Sequence, residues 1–271
     1  MALPVIKIGT SGYSYEDWRG VFYPSELPRG EMLAYYAQFF DAVEINATYY
    51  RIPHRAVFYH MGQKTPEGFD FIVKVHQEVT HVRQKPEEAM NALLEAIQPI
   101  EEMGKFSGFL AQFPYAFKNT SENRAYLVYL KEWCGQYPLF VEFRNWTWNH
   151  PAVAEFLQQQ AIGYVNVDQP RLRGLLPPQE IVTTDVGYVR FHGRNKKEWW
   201  QGTNETRYDY LYTREELTEW VGRIGNILKK STRGYLFFNN HPQGKAVQNA
   251  RLMKAILEEH LTFLKNSSPT P

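Results

Sequence analysis

The sequence predicts an α/β fold, a single TIM-like (β/α)8 barrel occupying residues 1–264, and three observations carry that expectation. Short apolar runs alternate with longer amphipathic stretches, the pattern of strands joined by helices. The runs are apolar almost throughout, as suits strands buried on both faces of a parallel sheet. Eight such units share 271 residues, about 34 each, near the roughly 30 or more of a strand–helix–strand module. With no linker between units, a closed barrel is favoured over an open doubly wound sheet.

The expected strands are Val5 to Gly9, Ala42 to Asn46, Phe69 to His76, Phe106 to Phe113, Leu139 to Arg144, Gly163 to Asp168, Gly187 to His192 and Gly234 to Asn239. Helices are expected between them. Met32 to Phe40 follows Pro28-Arg29-Gly30. Glu87 to Met103 places Ala89, Leu93, Ala96, Ile97 and Ile100 on one stripe. Ser121 caps a helix that runs to about Trp133, with Arg124 where a capping box would need Glu or Gln. Pro151 opens a helix that ends before Gly163. Thr213-Arg214-Glu215-Glu216 is a capping box ahead of Leu217, Trp220, Val221 and Ile224, and the last helix runs from about Lys245 to Leu261. The unit between strands six and seven is irregular, because Pro170, Pro177 and Pro178 leave no clear helix there. The loop from Gly193 to Tyr212 is long, and long loops are often functional. Residues 265–271 are expected to be a disordered tail.

Composition narrows the function. Thirty Lys and Arg against 29 Asp and Glu give a formal net charge of +1. That balance excludes a globally basic nucleic-acid coat and an acidic solvating tail, while leaving room for a local patch. The one cysteine, Cys134, excludes an internal disulfide framework and a multi-cysteine zinc site. No apolar run approaches the roughly 18 residues of a membrane span, and Met1 to Ile8 has no basic region followed by a long apolar stretch, so a cytoplasmic protein is expected. Aromatic residues are abundant at 15%. They either enrich the core or form a stacking surface for bases or sugars.

In a barrel, chemistry sits at the C-terminal ends of the strands. The polar residues there are Glu44 and Asn46; Lys74 and His76; Gln112; Glu142 and Arg144; Asn166 and Asp168; Arg190 and His192; and Asn239 with Asn240. Glu44/Asn46, Lys74/His76, Glu142/Arg144, Asn166/Asp168 and Arg190/His192 are each two residues apart, so both members of a pair face the same way. Charges on one face of a buried strand are costly unless that face lines a solvated site or pairs fully. A polar ring at the mouth is therefore expected to hold a ligand. The competing reading is a closed network in which Glu44, Glu142 and Asp168 neutralise Lys74, Arg144 and Arg190.

The turn Gly9-Thr10-Ser11-Gly12-Tyr13 allows close backbone approach to a ligand and matches neither a dinucleotide fingerprint nor a P-loop. The loops after strands seven and eight are the usual phosphate site of barrels, and Arg190, Arg194 and Lys245 bring positive charge there, with Arg194 expected to be largely solvated. Aromatics gather beside the mouth: Tyr13, Tyr15, Trp18 and Tyr23; Tyr49 and Tyr50; Trp146 and Trp148; and Trp199, Trp200, Tyr208, Tyr210 and Tyr212. Part of this set is expected to stack on a ligand.

Gly9-Thr10-Ser11-Gly12-Tyr13 with Trp18 and Phe22-Tyr23-Pro24 resembles the N-terminal signature of the DUF72 (YecE-like) family. So do Val43-Glu44-Ile45-Asn46-Ala47-Thr48-Tyr49-Tyr50, Phe71-Ile72-Val73-Lys74-Val75 with Thr80-His81, and Gln112-Phe113-Pro114. Glu142-Phe143-Arg144 with Trp148, Val189-Arg190-Phe191-His192-Gly193-Arg194 and Phe237-Phe238-Asn239-Asn240 complete the set, in order along nearly the whole chain. The resemblance implies a TIM-like barrel and a site at its mouth, and supplies no reaction. The strand-eight loop, Asn240-His241-Pro242-Gln243-Gly244, lies where family members vary, so His241 is given little weight.

The expected function is general acid/base chemistry on a small anionic, phosphate-bearing ligand, a nucleotide or nucleic-acid fragment. Glu44, His76, Glu142, Asp168 and His192 are the candidate catalytic groups. Thr10, Ser11, Tyr13, Asn46, Lys74, Gln112, Arg144, Arg190, Asn239 and Asn240 are the candidate binding groups, with the Arg residues able to fork onto an oxyanion. No cofactor is indicated. A metal-dependent hydrolase would draw on Glu44, His76, Glu142, Asp168 and His192, but the neighbouring cations disfavour a metal ion. The same residues also suit a binding module without turnover, or a glycosidase with paired carboxylates.

Overall fold

The computed structural model describes residues 4–266, the last six by backbone alone. Eight strands, β1 (Val5–Ser11), β2 (Ala42–Ile45), β3 (Asp70–Lys74), β4 (Phe106–Gln112), β5 (Leu139–Glu142), β6 (Ile162–Asp168), β7 (Val186–Phe191) and β8 (Arg233–Phe238), close into a barrel in chain order. Every neighbouring pair is parallel, including β8 with β1. The predicted (β/α)8 fold is therefore observed.

The helices are α1 (Met32–Tyr36), α2 (Arg55–Gln63), α3 (Pro86–Glu102), α4 (Ser121–Trp133), α5 (Pro151–Gln159), α6 (Asn204–Arg207), α7 (Arg214–Leu228) and α8 (Lys245–Asn266). The capping box on α7 forms as expected: Thr213 Oγ1 accepts from Glu216 N, and Glu216 Oε2 accepts from Thr213 N at 3.0 Å. On α4 the cap is Thr120 rather than Ser121. Thr120 has extended backbone angles and its hydroxyl accepts from Asn123 N, which leaves Ser121 as the first helical residue. Helix α2 carries no sequence signal of the usual kind. Its cap is a histidine, His54, whose Nδ1 accepts from Ala56 N, and only Phe58, Met61 and Gly62 are buried along it. The four-residue α6 also falls inside what reads as a loop. Helix α8 continues through Asn266, so residues 265 and 266 are helical, and residues 267–271 of the expected tail lie outside the described residues. Among the described residues, no helix is long and apolar enough to cross a membrane.

The strand-six unit has no helix before β7, as expected. Side chains secure the segment instead. Asn166 on β6 donates to Ile181 O and Tyr188 O and accepts from Ile181 N. Thr183 Oγ1 donates to Ile162 O and accepts from Tyr164 N. An extended segment lacks internal backbone bonds, so its polar groups must be met by such contacts.

Register decides which strand residues share the barrel interior. Ser11 lies beside Glu44, Glu44 beside Ile72, Gln112 beside Glu142, and Val167 beside Arg190. Side chains alternate along a strand. Ser11, Glu44, Lys74, Gln112, Glu142 and Arg190 therefore point inward, and Thr10, Asn166 and Asp168 point out toward the helix layer. Much of the aromatic excess fills the interior below the mouth: the rings of Phe140, Tyr188, Tyr235 and Phe237 pack with centroids 5.1–6.5 Å apart. These buried residues are a packed floor, and each large side chain removed from water contributes about 1.5–3 kcal/mol.

Candidate functional site

The mouth has two tiers. In the lower tier Arg190 is enclosed. Its Nε lies 2.9 Å from Glu44 Oε1, its Nη2 lies 2.9 Å from Glu44 Oε2, and its Nη1 lies 2.5 Å from Glu142 Oε2. Ser11 Oγ donates to Glu44 and accepts from Arg190 at 3.1 Å, and Tyr188 OH donates to Glu44 Oε1 at 2.5 Å. Arg144 Nη2 approaches the other Glu142 oxygen at 2.8 Å, and His192 Nε2 stands 3.1 Å from the same atom. Ser11, Glu44, Glu142 and His192 are fully buried. Burial on its own would raise the Glu142 carboxyl, but the neighbouring guanidinium groups hold it well below the usual range. Burial lowers His192 to about 3, so its imidazole is neutral. A proton on Nε2 facing Glu142 leaves Nδ1 to accept from Asn239 Nδ2 at 3.1 Å.

Above this floor opens a cavity of about 490 Å³, within the range of small-ligand sites. Four cations line it, Lys74, Arg144, Arg190 and Arg207, against one carboxylate, Glu205. The amides Asn46, Gln112 and Asn239 also face it. Its walls are rings. Tyr15 stacks on His241 with centroids 4.6 Å apart, Tyr49 meets Tyr50 and His81 edge-on, and Trp199 packs edge-on against Tyr208. Part of the aromatic set thus lines the cavity, while Trp18, Tyr23, Trp148 and Tyr212 are buried packing. Gly12, at φ +88°, makes the turn that brings Tyr15 back over β1, where Tyr15 OH donates to Ser11 O at 2.7 Å. A side chain at position 12 would meet the Tyr15 ring within 3 Å.

Lys74 is the unusual cation. Its Nζ lies 3.1 Å from Gln112 Oε1 and 4.4 Å from the centre of the Tyr49 ring. No carboxylate of the described residues forms an ion pair with it. Burial and the cations Arg190 and Arg144 outweigh Glu142 and Glu44 and pull its ammonium down to about 7. Arg144 reaches Gln169 Oε1 at 3.3 Å and Tyr208 OH at 3.4 Å, with its guanidinium 5.4 Å from the Trp199 ring centre. Burial, then Lys74 and Arg144, lowers His81 to about 4. Asn46 Oδ1 is buried with no protein partner.

The structure places the remaining candidates elsewhere. Asp168, expected at the mouth, faces outward. It accepts from Arg194, from Tyr212 OH at 2.6 Å and from Trp220 Nε1 at 2.7 Å, because β6 presents Val167 inward. Thr10 also faces outward and bonds Tyr36 on α1. Tyr13 packs against that same ring rather than lining the cavity. Asn240 is turned to Tyr210 O and Asn249. His76 lies past the end of β3, where its Nδ1 accepts from Glu78 N at the start of a single wide π-helical turn over Glu78–Val82. That turn brings His81 to the cavity, a position that strand periodicity cannot indicate. The expected phosphate cations are also paired. Arg194 is bound by Asp168, Glu216 and Glu219 rather than solvated, and Lys245 is bound by Asp209. His241, given little weight, lines the cavity, as do Arg207 and Glu205 from the long loop. No group of three or more His, Cys, Asp or Glu is placed to hold a metal ion among the described residues.

Comparison with known proteins fits this architecture. The family model described as protein of unknown function DUF72 matches residues 7–271. The UPF0759 protein YunF of Bacillus subtilis (strain 168) is 31% identical, with 94% of this chain and 95% of that protein covered. A DUF72 family protein from Thermotoga maritima MSB8 superposes with a TM-score of 0.87 at 42% identity, over 94% of this chain and 99% of that one. Another, from Enterococcus faecalis V583, gives 0.84 at 27% identity, over 94% and 96%.

Proposed function

The chain belongs to the DUF72 family, and from the chemistry of its mouth we propose an enzyme that binds an anionic, phosphate-bearing ligand, a nucleotide or nucleic-acid fragment. The observation that carries the reading is the Lys74 ammonium beside Arg144, without a carboxylate of its own, in a cavity of rings and amides where four cations face the single carboxylate Glu205. An anion entering there meets charge that the protein has left uncompensated, while Arg190 below is already taken by Glu44 and Glu142. Arg144 supplies donors for oxyanions. Tyr15, Tyr49, Tyr208, Trp199 and His241 supply faces on which a base or sugar stacks. Proton transfer falls to the imidazoles on the cavity wall, His81 and His241, both held toward the neutral form by burial. Glu44 and Glu142 instead hold the floor through Arg190, and His192 orients Asn239.

The sealing of Glu44 and Glu142 favours a second reading, a module that holds the same ligand without turnover. Thermal denaturation with added ligand tests the common part, since a ligand of the native state raises the melting temperature. Orthophosphate and nucleotides are expected to raise it and neutral sugars are not. Lys74→Met and Arg144→Ala are expected to reduce the rise. Stabilisation by neutral sugars alone, or a full phosphate response in both variants, overturns the reading. Product analysis with the stabilising compounds then separates enzyme from binder.

A further inference from the structure

We propose that Lys74 is a nucleophile that captures the carbonyl carbon of a phosphate-bearing aldehyde or ketone as an imine, with Arg144 on the phosphate. This rests on the anion reading of the same mouth and adds the reactive group of the ligand.

The lysines of this chain supply the contrast. Lys7, Lys64, Lys85 and Lys245 each hold a carboxylate. Lys105 is buried, but Gly62 O, Thr65 O and Thr65 Oγ1 take its three donors at 2.6–3.2 Å, and it lines none of the cavity at the mouth. Lys74 ends β3 inside the cavity, with an amide oxygen and a ring face as its neighbours. The charged groups that act on it are Glu44 from β2, Glu142 from β5, Arg144 just beyond β5, and Arg190 from β7. Glu44 is turned onto Arg190, and Glu142 is shared between Arg190 and Arg144. An amine crowded by cations and enclosed by protein gives up its proton readily, and only the free amine attacks a carbonyl. Its value of about 7 agrees with that placement.

The chemistry needs no co-reactant. The Nζ lone pair forms a bond to the carbonyl carbon, and the carbonyl π pair moves to oxygen, which takes a proton. Nζ then loses its excess proton. His81, packed on the same Tyr49 ring and held neutral and weakly basic, relays this proton to solvent rather than keeping it. The carbinolamine hydroxyl takes up a proton and leaves as water while the nitrogen lone pair closes the C=N bond, and the protonated imine then returns its N–H proton to solvent, so no net proton is consumed. Amine and carbonyl give imine and water, with no change of oxidation state.

Pyridoxal phosphate is a planar, aromatic, phosphate-bearing aldehyde that suits the cavity as a probe. The intact protein is incubated with it at neutral pH, reduced with borohydride, and mapped by mass spectrometry. One adduct at Lys74 is expected, formed at least about tenfold faster than at exposed lysines, whose free-amine fraction at pH 7 is smaller by about three powers of ten. Its rate is expected to rise between about pH 6 and pH 8 and then level, whereas ordinary lysines gain up to about pH 10. Lys74→Arg keeps the charge and is expected to lose the adduct. Pyridoxine phosphate, the alcohol that lacks a carbonyl, is expected to stabilise the parent protein thermally without labelling it. Arg144→Ala is expected to slow labelling. Labelling spread over exposed lysines while Lys74 stays free, with pyridoxine phosphate still stabilising, overturns the nucleophile and leaves the anion site standing. Absence of both labelling and stabilisation overturns the two together.

Discussion

At the floor of the mouth Arg190 is held by two carboxylates and a hydroxyl and is almost wholly enclosed, whereas on the wall above it Lys74 faces an amide and a phenol ring in an open cavity. Both cations come from strand ends, and both point inward. The difference lies in what offsets their desolvation. On the floor the neighbouring side chains neutralise the charge, so little is left for a guest. On the wall the charge is uncompensated, and a bound anion is the natural partner. A ring of charged residues around a barrel mouth is thus neither wholly a plug nor wholly a site.

Arg190→Ala should separate the floor from the wall most strongly. It leaves Glu44 and Glu142 buried without their shared partner, and stranding buried charge costs about 3–5 kcal/mol. Urea denaturation should show a loss of that size, against a much smaller change for Lys74→Met at pH 7. Equal losses from the two variants would mean that the floor is no more interlocked than the wall.

Much of the fold is legible in the sequence because eight apolar runs can only be buried strands, and because Glu142 with Arg144, and Arg190 with His192, keep the two-residue spacing that puts them on one face. The face itself is another matter. Strands apolar on both sides carry no mark of which side is inside, so Asp168 and Thr10 read like Glu44 and face the opposite way. The partner of each charge is equally hidden, since Arg190 meets Glu44 across 146 positions of sequence. His76 and His81 show the third gap: the chain turns after β3, and the turn rather than the strand period decides which imidazole reaches the cavity.

A smaller effect is expected outside the barrel. Asp168 binds Arg194, Tyr212 and Trp220 against α7, away from the cavity. Asp168→Ala orphans two buried donors, while Arg194 keeps Glu216 and Glu219. A loss of about 2–3 kcal/mol follows from the unpaired groups. The thermal shift with orthophosphate should be unchanged once the lower starting temperature is allowed for. Loss of the ligand response in this variant, with the fold intact by circular dichroism, would tie the outer network to the site and erase the distinction between them.

The finest test concerns pH. In the unfolded chain Lys74 keeps its proton to about pH 10.4, while in the folded protein it gives it up near 7. Between these values the unfolded state binds more protons, so this residue makes stability rise with pH. Its contribution is fully present above the unfolded value and is lost as pH falls toward 7. The slope approaches about 1.4 kcal/mol per pH unit well inside the window and flattens at its edges. Lys74→Met has no such group. Measured by urea denaturation at pH 7, 8 and 9, the variant should therefore gain on the parent by about 2 kcal/mol in going from pH 9 down to pH 7. The other ionisable groups are common to both proteins and cancel in the difference. Parallel pH curves would mean that Lys74 keeps an ordinary, well-solvated ammonium, and the wall would then lose the uncompensated charge that sets it apart from the floor.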